Sequence, residues 1–120
     1  MKENPDPADA ARLNELSNGV PGGLRGLVEL FVSHTTEAAR HLRAAANESR
    51  AADVQMLAHR GAGTAGAIGA TRLVELFRKL EVLARQPGMP GLDTLVGSVE
   101  HELARVHGFL SQLTAERPRG

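Results

Sequence analysis

Apolar residues recur at three- and four-residue intervals along almost the whole of this chain and nowhere alternate with period two, a pattern that suits helices with one buried face. A chain of 120 residues leaves room for one core built from them. Asp6 can cap a short leading helix with Pro7 in its first position, running to about Ser17 and closed by Asn18-Gly19. Pro21-Gly22-Gly23 then turns the chain into a segment from Leu24 to about Asn47, with Leu24, Leu27, Val28, Phe31 and Leu42 on one face. A third helix is expected from near Ser49 through Val54, Ala58, Gly61, Ala65 and Ile68. A fourth carries Leu73, Leu76, Phe77, Leu80 and Ala84 and stops before Gln86-Pro87-Gly88. The fifth, after Pro90-Gly91, shows Leu92, Leu95, Val99, Leu103, Val106 and Leu110. The expected fold is all-α: an antiparallel four-helix up-down bundle with a short additional N-terminal helix. It forms one domain over residues 6–116, with residues 1–5 as a flexible N-terminal tail and 117–120 as a C-terminal tail.

Composition narrows the function. Aromatic residues make up 2% of the chain, three Phe with no Trp or Tyr, so the core is aliphatic and the stacking platforms of single-strand nucleic-acid readers are missing. Lys+Arg 14 balances Asp+Glu 14, so no net field draws the chain to nucleic acid or an anionic membrane. The absence of cysteine excludes disulfides, thiolate metal sites and cysteine nucleophiles. MKENPDPADA has no apolar signal-like region and no later run is long enough to span a bilayer, so a cytoplasmic location is expected. His34 and His41, and His101 and His107, stand outside the i,i+4 spacing of a helical metal pair, and neither a metal nor another cofactor is expected.

The informative stretch runs from Leu57 to Ala70, LAHRGAGTAGAIGA, because each interior glycine costs a helix ~1 kcal/mol relative to alanine. With successive residues ~100° apart, Val54, Ala58, Gly61 and Ala65 face the core and His59 stands ~140° away, towards solvent. Its neighbours on the outer face include Gln55, Met56, Gly63 and Gly66, mostly small or flexible. A partner's backbone or active-site rim can therefore come within bonding distance of the imidazole.

In these residues the chain resembles the histidine-containing phosphotransfer domain of phosphorelays. That family's pattern, roughly Ala-His-x-Leu-Lys-Gly, then small residues, Ile/Leu-Gly-Ala and a closing Leu-Glu, is met by Ala58-His59, Gly63, Thr64-Ala65-Gly66, Ile68-Gly69-Ala70, Leu73, Leu76 and Leu80-Glu81. The resemblance implies that His59 accepts a phosphoryl group from a receiver-domain aspartate or a histidine kinase and passes it to another receiver. The chain would then be a carrier with no nucleotide site of its own, because the receiver brings the acidic cluster and Mg²⁺. It also implies that Glu81 accepts a hydrogen bond from Nδ1–H of His59 and so leaves Nε2 free to attack. Its partners would be response-regulator receiver domains and a histidine kinase, not nucleic acid or membrane.

The chain departs from the pattern at Ala62, where the family carries a lysine one turn after the histidine, and at Gly61, where it carries leucine. Arg78 or Arg85, on the Glu81 side of the fourth helix, could supply the missing cation. The receiver could supply it instead, transfer could be slow, or the domain could dock receivers without transferring phosphate, the alternative function. Simpler roles stand beside these: His59 as surface decoration, Glu81 as a solvated carboxylate, and Arg78 and Arg85 as a charged face pairing with Glu81. Gly61-Ala62-Gly63-Thr64-Ala65-Gly66 also spells G-x-G-x-x-G, with Glu81 as the later acid. That dinucleotide fingerprint needs a preceding strand, and Met56, Leu57 and Ala58 continue a helical stripe instead.

Overall fold

The computed structural model describes residues 6–115. Five helices follow one another: α1 (Ala10–Leu16), α2 (Gly23–Asn47), α3 (Ala51–Ala67), α4 (Thr71–Leu83) and α5 (Leu92–Ala115). The described residues contain no strand. The expected tails at 1–5 and 117–120, and the domain end at residue 116, lie outside the described residues.

Helices α2 to α5 form a closed ring in which α2 packs on α3, α3 on α4, α4 on α5 and α5 back on α2. The core is the aliphatic stripe expected from the spacing. Val54, Leu73, Leu80, Val96, Val99, Val106 and Leu110 are almost wholly buried, and Phe31 is the one phenylalanine among the buried residues. Two three-residue connections, 48–50 and 68–70, fold α3 back on both of its neighbours.

The leading helix differs from expectation at its start. It begins at Ala10, and its N-cap is Asp9, whose side chain accepts from the Arg12 N–H, so Asp6 and Pro7 precede the helix. The cap is set by tertiary contact as well as by the cap's own chemistry. The Asp9 N–H donates to the Ile68 carbonyl at 2.9 Å, and Arg12 Nη1 reaches the Gly66 carbonyl at 3.4 Å, so α1 is moored to the C-terminal end of α3. Gly69 makes that approach possible: it is left-handed (φ +70°), and a Cβ there would lie 2.6 Å from Asp9 Cβ.

The contact between α3 and α4 is the most extensive in the bundle, and it follows from the small residues of α3. Ala58, Ala62 and Ala65 are buried, and Gly61 receives the Phe77 ring where any side chain would intrude. The helix-propensity cost of Gly61 is offset by the close approach of Phe77 that it permits.

Candidate functional site

His59 lies near the middle of α3, directly after the fully buried Ala58, and its side chain is 77% exposed. Glu81 lies in the last turn of α4 with its side chain 19% exposed, at the edge of the Leu73/Leu76/Leu80 stripe. The close α3–α4 packing brings His59 Nδ1 to 2.9 Å from Glu81 Oε2. In the neutral ring the carboxylate can only accept, so Nδ1 carries the proton and Nε2 keeps its lone pair.

The surroundings are bare. A Cβ on Gly63 would meet nothing within 4 Å, and one on Gly66 would meet only Val74 Cγ2 at 3.9 Å. Gln55 is half-buried one turn before His59, and Met56 is 41% exposed beside it. Ala62 is the exception on this stretch of α3: it is buried at 7% exposure. The position that carries lysine in the family pattern is thus a packing position here. Gly61 likewise belongs to the α3–α4 seam through Phe77, a contact that helical periodicity gives no means of seeing.

Glu81 makes no pair with Arg78 or Arg85, because its carboxylate is turned to His59, so the expectation of a helix-surface ion pair there is not met. Arg78 stands one turn before Glu81, exposed and without a side-chain partner among the described residues. Arg85 lies past the Ala84 C-cap, in the turn that leaves α4.

Two other histidines have local partners. Thr35 Oγ1 donates to the Phe31 carbonyl at 2.8 Å and therefore accepts from His107 Nε2–H at 2.8 Å, while the His107 ring stands edge-on to Phe31. Burial pushes the His107 imidazole below its ordinary value. His41 faces Glu37 at 3.6 Å on the surface. Among the described residues no three His, Asp or Glu side chains gather as a metal site, and no helix is long and apolar enough to cross a membrane.

The bundle thus presents an exposed, carboxylate-bonded imidazole at His59, with open space around Gly63. Residues 26–109 match the family model of the Hpt domain, and the chain belongs to that family, a histidine phosphotransfer protein of phosphorelays. It is similar to the crystal structure of histidine-containing phosphotransfer protein B from Pseudomonas aeruginosa PAO1, with a TM-score of 0.82 and 25% sequence identity over 95% of this chain and 100% of that one. No curated protein sequence matches it.

Proposed function

We propose that His59 is the phosphoacceptor and that it relays a phosphoryl group between receiver-domain aspartates, or from a histidine kinase to a receiver. The observation that carries this reading is the 2.9 Å contact between His59 Nδ1 and Glu81 Oε2, which leaves Nε2 as the free nucleophile on a largely exposed ring. The Nε2 lone pair attacks the phosphorus of the receiver's aspartyl phosphate, the P–O bond to the aspartate breaks, and its electrons return to the aspartate carboxylate. The ring then carries the phosphoryl group on Nε2 and a proton on Nδ1, and its positive charge faces the Glu81 carboxylate. Reversing the same steps on a second receiver completes the relay. Glu81 is a positioning residue.

Gln55, Met56, Gly63 and Gly66 form the floor on which the receiver docks, with buried Ala62 beneath it. Arg78, exposed and one turn before Glu81, is our choice for the cation that meets the phosphoryl oxygens.

The test is incubation with a phosphorylated receiver, followed by measurement of acid-labile, base-stable phosphate on the protein. Wild type should become labelled and His59→Gln should not. Equal labelling of the two would remove His59 from the reaction, and no labelling of either, with receiver binding retained, would favour a module that docks without transfer.

A further inference from the structure

On the α2 side of α3, whereas Glu81 approaches from α4, the bundle surface opens into a cleft of about 200 Å³. It exists because the two helices meet there through small residues: Ala38 and Ala39 of α2 line it opposite Gly61 and Ala65 of α3. Its floor is apolar, made by Phe31, Leu42, Leu57, Leu73, Phe77 and Leu103. The rim is polar and carries more basic than acidic groups. Arg60, His34 and His41 line it together with one carboxylate, Glu37, which is already bonded to Arg40 at 3.0 Å and faced by His41 at 3.6 Å. Arg60 is exposed, and its side chain has no partner among the described residues. The relay chemistry at His59 makes no use of this cleft.

We propose that the cleft binds a small amphiphilic carboxylate, whose aliphatic tail covers the apolar floor while its carboxylate meets the Arg60 guanidinium. The size follows from the volume: an apolar protein cavity of about 150 Å³ holds benzene, so this one admits roughly eight non-hydrogen atoms, the size of hexanoate. The sign follows from the rim, where an alkylammonium of the same length would meet Arg60 as a like charge. Carboxylate and guanidinium match in a two-pronged fork, which an alcohol cannot reproduce.

The experiment is an NMR titration of the intact protein with hexanoate, hexan-1-ol and hexylammonium, following the resonances of Ala38, Ala39, Thr64 and Phe77. Hexanoate should give saturable shifts confined to the cleft, and hexylammonium should give none. Arg60→Gln should weaken hexanoate about tenfold and leave hexan-1-ol unchanged. Ala38→Leu fills the cleft and should abolish both. Should that variant fail to fold, the Arg60→Gln comparison carries the test alone. Absence of saturable shifts in the cleft, or equal binding of all three compounds with no effect of Arg60→Gln, would overturn the assignment.

Discussion

The ring of Phe77 lies so close to Gly61 that a Cβ on the glycine would fall 2.6 Å from its Cε1 and Cζ atoms. This contact seats α4 on α3, and Glu81 sits one turn beyond Phe77 on the same helix, so the packing at Gly61 and the hydrogen bond at His59 are built by one approach. Gly63, two residues on, faces open space. Gly61→Ala gains helix propensity but forces the Phe77 ring aside, whereas Gly63→Ala gains the propensity with no clash. By urea denaturation, Gly63→Ala should be more stable than wild type by roughly 0.5–1 kcal/mol, and Gly61→Ala should be less stable than Gly63→Ala by about 1–3 kcal/mol.

Arg43 ties α2 to α5. Its Nε and Nη2 donate to the two oxygens of Glu100 at 3.0 and 2.8 Å, and Nη1 donates to Asp93. Those hydrogen bonds, Glu100 first and then Asp93, hold the guanidinium above its ordinary value. Arg43→Gln should cost about 1 kcal/mol, and Arg43→Lys should recover only part of it because an ammonium cannot form the fork. The loss should shrink in high salt, since the pair is partly exposed to solvent.

His107 makes stability depend on pH with a definite sign. Its folded-state value is depressed by burial below 6.5, so the unfolded chain takes up a proton first as pH falls. The His107 contribution is therefore whole above about 6.5 and is lost as pH drops towards and through the folded value. Thermal melts from about pH 7 to about pH 5 should show wild type losing more stability than His107→Gln. A steeper loss in the variant would contradict the burial argument.

Arg78 and Ala62 separate two accounts of the missing lysine. If Arg78 meets the phosphoryl group, Arg78→Gln should slow transfer from a phosphorylated receiver roughly tenfold, while Arg85→Gln, beyond the end of α4, should change it little. Ala62→Lys should not accelerate transfer; it should lower stability by about 1–3 kcal/mol, because the position is buried.

Much of this molecule is legible along the chain because aliphatic stripes and Gly/Pro punctuation are local signals. The five helices, the exposure of His59 and the lean of Glu81 towards α3 all follow from ~100° steps around a helix. What local signals do not contain is which helix faces which residue. Asp9 displaced Asp6 as the cap of α1 because Asp9 also meets Ile68 and Gly69 from a distant part of the chain. Ala62, where the family pattern puts a lysine, is buried, which the pattern by itself does not show. Arg78 does not pair with Glu81, although helical spacing permits it, because His59 offers that carboxylate a closer partner from another helix. The cleft beside Arg60 arises from small residues on two helices and has no signature on either alone.

The proposed relay turns on one atom, Nε2 of His59. Phosphorylating the ¹⁵N-labelled protein with a phosphorylated receiver and recording the imidazole resonances by NMR reports directly which ring nitrogen carries the phosphoryl group. The expected result is a single phosphohistidine at His59, bonded through Nε2, with Nδ1 still protonated against Glu81. Attachment at Nδ1, or on a histidine other than His59, would contradict the account.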